Sequence, residues 1–397
     1  MNEALTQTKK RIQSIDILRG VIMLIMALDH VRDFFHIHAI DQSPTDLATT
    51  TPLLFFTRWI THFCAPTFLL LSGVSAYLVG LRKTKKELSV FLIKRGLWLI
   101  LIDATVMTFA LTLNPAFNLI VLSVLWAIGC SMIILGLLVR TNITIIIVVA
   151  CLIFFGHNIF DFITIPKQGA ASVLLPMFLS GAQSFYPITN THVIAQFYVI
   201  LPWTSVMLFG YAIGSFYQSS FEAIKRKKIL ITAGASLILL FIVLRTINIY
   251  GDPSRWSQHK NTITTFLSFL NTSKYPCSLD FLCMTLGPAL IALALLEGVQ
   301  NKFTRIASVY GRVPFFYYVL HFYLIRILCI ILFFATGFGI NNINDPKVPF
   351  LFRPSTFGFE LWGVYLIWLF VIVAMYYPCK WFDNYKRTHH KWWLSYV

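Results

Sequence analysis

The stretch Phe56–Tyr77, FTRWITHFCAPTFLLLSGVSAY, decides the fold. Most of it is apolar, and its length suits a membrane-spanning helix of roughly 20 residues. Yet Arg58 and His62 stand one helical turn apart, four residues before Pro66. A cation and an imidazole are costly in lipid, so both are expected to face a protein interior or a wet cavity. The same face continues through Ala65, Leu69, Ser72 and Ala76, whose small members allow a second helix to approach closely.

The preceding stretch, SIDILRGVIMLIMALDHVRDFFH, supplies the partner. Asp16, Arg19, Met23, Met26, His30 and Asp33 recur at spacings of three and four and share one helical face. The other faces are largely Ile, Leu and Val, a lipid side, with Asp29 and Arg32 added near the far end. Two readings stand: ion pairs at the helix ends plus a satisfied histidine, or a charged path lined by the first two helices.

Composition sets the class. Only 12% of the 397 residues are charged and 57% are hydrophobic, against about 25% charged in an ordinary soluble domain. The expectation is an all-α, polytopic membrane helix bundle forming a single domain over 1–397, with tails at 1–14 and 380–397. Ten spans are expected, approximately 15–36, 53–81, 88–113, 116–139, 143–160, 196–218, 229–250, 276–300, 312–337 and 359–379. The first lacks the uninterrupted apolar core and cleavage site of a signal peptide and is expected to stay. The net charge of +16 does not mark a nucleic-acid binder, because Lys and Arg cluster beside spans, as at Arg82–Lys86 and Lys225–Lys228. With the amino terminus inside, the inner segments hold nineteen Lys and Arg and the outer segments six. That bias places both termini in the cytoplasm.

Seven cysteines are scattered without a CxxC pair, which indicates neither a disulfide framework nor a zinc site, and no metal is expected. Residues 161–195 and 251–275 read as outer loops or re-entrant pieces over a cavity. Tyr186, Trp203, Trp256 and Tyr275 suit either stacking on a sugar or anchoring at the membrane interface. At 1.5 Å per residue, His30 lies roughly 21 Å from the inner edge and His62 roughly 13 Å below the outer one. Both fall in the outer half, which suggests a shared site. Lys94 and Arg95 snorkel to lipid phosphates or bind an anionic ligand. His321 is either a core histidine bonded to a carbonyl or a third member of the site. Asp280 lies near the outer boundary. Ser72, Gly73 and Ala76 serve internal packing or a homodimer contact.

Six ordered blocks carry a family resemblance: RIQSIDILRGVIMLIMALDH, TRWITHFCAPTFLLLSGVSAYL, VLWAIGCSMIILGLL, LPWTSVMLFGYAIG, SKYPCSLDFLCMTLGPAL and YGRVPFFYYVLHFYLIR. Together, over about residues 11–390, they resemble the bacterial multi-span family related to the catalytic domain of heparan-α-glucosaminide N-acetyltransferase. The resemblance implies transfer of an acetyl group from cytosolic acetyl-CoA to an amine or hydroxyl across the membrane, on an amino-sugar or glycan acceptor. It also implies an intramembrane histidine acting as base or acyl carrier, a bacterial cytoplasmic membrane location, and surrounding lipid. In the lysosomal enzyme the catalytic histidine precedes the block matching THFCAPTFLLLSG. Here 38–61 holds only His38, so the histidines are assigned from depth and face.

The expected catalytic set is therefore His30 or His62 as base, Asp29 orienting an imidazole, Arg58 stabilising an oxyanion or an anionic acceptor, and His321 in support. Arg19, Lys94 and Arg95 are expected at the CoA phosphates, which suit clustered cations. The alternative is a proton-coupled transporter of a small solute using the same His/Asp/Arg cluster, and a catalytically dead scaffold is a third. No internal repeat of the kind many transporters carry is visible.

Overall fold

The computed structural model describes residues 12–164, 166, 168–180, 184–389 and 391–395. The expected amino-terminal tail rests mostly on residues outside that set. In chain order the helices begin with α1 (Gln13–Phe35), α2 (Pro52–Thr61), α3 (Cys64–Gly80) and α4 (Lys85–Ile102). A π-helical turn, Asp103–Met107, joins α4 to α5 (Thr108–Thr112). Then come β1 (Leu119–Leu122), α6 (Val124–Leu138), α7 (Ile143–Gly156), α8 (Ala171–Leu175), β2 (Ser184–Pro187) and β3 (Val193–Gln196). The chain closes with α9 (Ile200–Gly214), α10 (Ala223–Ile247), α11 (Thr262–Leu270), α12 (Leu279–Leu295), α13 (Lys302–Arg312), α14 (Pro314–Ala335) and α15 (Leu361–Thr388).

Local chemistry starts these helices where the sequence allows. Thr84 and Glu87 form a capping box on α4, and Asn142 and Ser278 accept the first amides of α7 and α12. Each cap satisfies backbone N–H groups that a helix cannot pair itself.

The protein is a multi-pass membrane protein. Among the described residues, six stretches are long and apolar enough to cross a bilayer: Pro52–Gly80, Ile143–Phe162, Ile200–Tyr217, Ala223–Ile247, Pro314–Ala335 and Leu361–Thr388. Two further apolar helices, Val124–Leu138 and Leu279–Leu295, are shorter. The remaining expected spans, 15–36 and 88–113, correspond to α1 and α4, which are too charged to qualify on composition.

The all-α expectation needs one amendment. β1, β3 and β2 form a small sheet, with β1 parallel to β3 and β2 antiparallel to it. It takes the amino-terminal part of the expected 116–139 span and the last part of the expected 161–195 loop. The expected 312–337 span is α14, started by Pro314 at a break after α13.

α1 occupies the centre. It packs against α2, α3, α12, α13, α14 and α15, and from Ser14 to Arg32 no residue is exposed. The lipid side expected for α1 is therefore not present. Its Ile and Leu residues meet other helices, and lipid-facing apolar residues lie on α7, α10, α14 and α15 instead. Burial inside protein is what lets a helix with six ionisable side chains sit in the bundle.

Small residues set the helix crossings. A Cβ added to Gly20 would lie 1.8 Å from the Ala307 carbonyl oxygen, and one on Gly311 would lie 1.8 Å from that of Asp16. α1 and α13 therefore touch backbone to backbone. Gly73 of α3 and Gly210 of α9 do the same, as close packing without side-chain bulk requires.

Candidate functional site

The polar face of α1 lines two neighbouring cavities. The larger, of about 460 Å³, takes Met26, Asp29, His30 and Asp33 from α1. Arg58 and Thr61 of α2, Ala65 and Phe68 of α3, and Lys274 and Tyr275 enclose it further. The smaller, of about 90 Å³, is lined by Arg19, Met23, Ser72 and Arg95. Met26, Phe68, Val124 and Tyr318 border both and form the partition between them. The stripe predicted from spacing thus runs from one cavity to the other.

At the larger cavity two histidines meet. His30 Nδ1 lies 2.8 Å from His321 Nε2, and His321 Nδ1 lies 2.9 Å from the Tyr317 carbonyl oxygen. A carbonyl only accepts, so His321 carries its proton on Nδ1. In the neutral pair its Nε2 then accepts, and His30 Nδ1 donates. The second nitrogen of His30, Nε2, keeps its lone pair. Stacking helps hold the pair, with the Tyr317 ring 5.0 Å from that of His321 and Phe322 4.2 Å from His30.

Beside them lies a charge network. Asp29 Oδ1 accepts from Arg32 Nη2 at 2.9 Å and from Arg58 Nη1 at 2.6 Å, and Arg58 also reaches Oδ2. Arg32 Nη2 donates to Asp33 Oδ1 at 2.6 Å. Asp29 therefore binds guanidinium groups and, among the described residues, makes no hydrogen bond to an imidazole. His321, not Asp29, orients His30.

The structure separates His62 from His30. His62 is buried at the break between α2 and α3, with its ring 5.4 Å from that of Phe281, and it lines neither cavity. The cause is local. The His62 amide bonds back to the Trp59 carbonyl, three residues away, and such a turn has three residues rather than 3.6. That tightening carries Thr61, and not His62, into the cavity wall with Arg58.

Arg19 and Arg95 come together at the smaller cavity, where Arg19 donates to Ser75 Oγ at 2.8 Å and to the Gly311 carbonyl oxygen at 3.2 Å. Lys94 lies on the exposed side of α4 and lines neither cavity. His38 sits at the surface beside Asp41.

Lys274 and Tyr318 escaped the sequence reading as site residues. Lys274 comes from a loop more than 240 positions away from His30, and Tyr318 stands among four aromatics in α14 with nothing local to distinguish it. Asp103 was also missed. Fully buried, it accepts from the Ser123 amide and hydroxyl at 2.6 Å each and from the Trp126 amide at 2.9 Å. It thereby fixes the start of α6, where Ser123 and Val124 border the cavity.

Among the described residues no group of three His, Cys, Asp or Glu side chains is arranged to hold a metal ion. The comparison with protein families is decisive for kinship: the family model described as heparan-alpha-glucosaminide N-acetyltransferase, catalytic, matches residues 11–250. The chain belongs to this family. No curated protein matches it. The family match runs from α1 into the loop after α10, so it includes His30, Arg58, Arg19 and Arg95, whereas Lys274 and His321 come from beyond it. Family membership makes this an acetyltransferase-type membrane protein.

Proposed function

We propose that the protein moves an acetyl group from cytosolic acetyl-CoA to an amine or hydroxyl of an extracytoplasmic acceptor, an amino sugar or glycan, with His30 in the chemical role. The observation that carries this reading is the His30–His321 pair beside a partition between two cavities. One nitrogen of His30 is committed to His321, which leaves Nε2 for the reaction.

In direct transfer, the acceptor nitrogen or oxygen bonds to the acetyl carbon as the C–S bond breaks. His30 Nε2 takes the acceptor proton and returns it to the departing thiolate. With His30 as carrier, Nε2 first bonds to the acetyl carbon as the C–S bond breaks, CoA leaves as the thiolate, and the Nδ1 proton shifts to His321 Nε2. The acceptor then takes the acetyl group in a second step. Arg58 stands in the same cavity, where a cation stabilises the oxygen charge that develops in either route.

Arg19 and Arg95 are assigned to the CoA phosphates at the smaller cavity. Arg19 and His30 are eleven positions apart in one helix, roughly 16 Å, a span for the pantetheine arm to bridge. His62 and Lys94 are assigned supporting roles only, the first packing α2 against α12 and the second meeting lipid phosphates. The positive-inside bias supports both termini in the cytoplasm, and the same reading takes ten spans in a single domain in a bacterial cytoplasmic membrane. A homodimer is part of the same reading.

The test is acetyl transfer from labelled acetyl-CoA by detergent-purified protein, beside His30→Ala. Saturable binding with turnover lost in the variant supports the assignment. If folded protein binds no acyl-CoA, the assignment fails, and proton flux in liposomes then tests the solute-transporter alternative.

A further inference from the structure

His157, which ends α7, is buried with both ring nitrogens against carbonyl oxygens. Nδ1 lies 3.0 Å from the Ile153 oxygen and 3.0 Å from that of Phe154, and Nε2 lies 3.0 Å from that of Cys277. Carbonyl oxygens only accept, and a neutral imidazole has a single N–H to give. Only the imidazolium donates at both positions. In the neutral ring one lone pair must face oxygen, and it meets two oxygens at Nδ1 but one at Nε2. The neutral form therefore keeps its proton on Nδ1, and the bond it gives up is the one to Cys277.

That bond reaches the larger cavity in one step. Cys277 pairs with Lys274 as an antiparallel bridge across a tight turn, and Lys274 and Tyr275 line the cavity. Asn158, the next residue after His157, accepts from the Leu279 amide at 2.8 Å and anchors the start of α12. Asp252 accepts from the amide and hydroxyl of Ser273 and from the Ser278 hydroxyl. The same end of α7 thus holds this turn twice, once through an amide side chain and once through a group that can lose a proton. The charged and titratable groups around His157 come from several elements. Asp161, on its own turn, accepts from Asn158 Nδ2. Tyr250 donates its hydroxyl to the Phe155 carbonyl, and the Cys277 thiol belongs to the held residue itself. Asp252 and Asp280 flank the turn, 4.0 and 3.9 Å from Arg245. The packed segment Pro176–Ser180 brings none.

We infer that His157 is a positioning residue that works as a proton-dependent latch: charged, it holds the Cys277 carbonyl and fixes Lys274 and Tyr275 in the cavity wall, and neutral, it releases them. The latch stands on geometry alone, whereas its effect on turnover rests on the acetyltransferase reading above.

Hydrogen–deuterium exchange of the full chain in detergent tests it across about pH 5 to 8, the range in which histidine changes charge. Each rate is compared with that of an unstructured peptide at the same pH, so that only protection is read. In wild type, protection of residues 273–279 should fall about tenfold or more as the pH rises, the scale of one hydrogen bond to a charged group. His157→Gln keeps a donor that does not titrate, and its protection should hold one value throughout. His157→Phe fills the space without a donor and should show the loose, high-pH value at every pH. A wild type without the slope overturns the inference. So does a slope that persists in His157→Gln, because the titrating group would then be Asp252 or another neighbour. With glucosamine as acceptor, KM for the sugar should rise about tenfold more with pH in wild type than in His157→Gln, while KM for acetyl-CoA moves alike in both. Equal sugar KM shifts in the two proteins overturn the link from latch to cavity. If no acetyl transfer is found, the acetyltransferase reading fails by itself and the exchange data still decide the latch.

Discussion

His30 of α1 and His321 of α14, 291 positions apart in the chain, share a hydrogen bond of 2.8 Å, and the Tyr317 carbonyl fixes which way it runs. The pair resembles the arrangement in which a second group holds an imidazole in one tautomer so that its other nitrogen serves as base or nucleophile. His30→Ala should lower kcat by about 10²- to 10⁴-fold, the usual contribution of a positioned acid–base group. His321→Ala should cost less, about 10- to 100-fold, the scale of losing an orienting partner. Single-turnover kinetics with labelled acetyl-CoA would show both; equal donor binding in the two variants separates chemistry from recognition.

Arg58 and Asp29 form a buried pair whose separate loss should be costly. Arg58→Met leaves Asp29 with Arg32 alone and is expected to destabilise by about 3–5 kcal/mol. Adding Asp29→Asn to the same chain should recover a substantial part of that loss. Thermal unfolding in detergent measures it, and strictly additive effects would show that the pair is not coupled.

Backbone contact between α1 and α13 predicts intolerance at Gly20. The added methyl of Gly20→Ala would lie 1.8 Å from the Ala307 carbonyl oxygen, so the helices must separate. A loss of about 1–3 kcal/mol is expected from such overpacking. Gly156→Ala, where nothing lies within 4 Å of the new methyl, should stay within about 0.5 kcal/mol. Fluorescence-detected gel filtration after heating gives the comparison.

The partition between the cavities offers a test of the path. Met26 borders both, and Met26→Trp should narrow the way between Arg19 and His30. Transfer is expected to fall by about 100-fold, as when reacting groups are held out of place, while CoA without an acetyl group still binds. Loss of CoA binding in parallel would place the effect at the phosphate end instead.

Much of this was legible in the chain. The membrane class follows from composition, because few soluble proteins carry so little charge. The stripe Asp16, Arg19, Met23, Met26, His30 and Asp33 follows from the 3.6-residue period, since a helix presents those positions together whatever surrounds it. The pairing of His30 did not follow. Depth along a helix is readable from spacing, but rotation about its axis is not once a turn tightens. The three-residue turn at His62 moved that ring to Phe281 and put Thr61 in its place.

His321, Lys274 and Asp103 reach the site only through tertiary packing. Each is distant in sequence from His30, and no local periodicity links His321 on α14 to the His30 ring, Lys274 on its loop to the cavity wall, or Asp103 in a π-helical turn to Ser123. The centrality of α1 has the same origin. Its Ile and Leu residues read equally well as lipid-facing or core, because a hydrocarbon chain and a neighbouring helix are alike to an apolar side chain. Only the packing of six other helices around it decided between them.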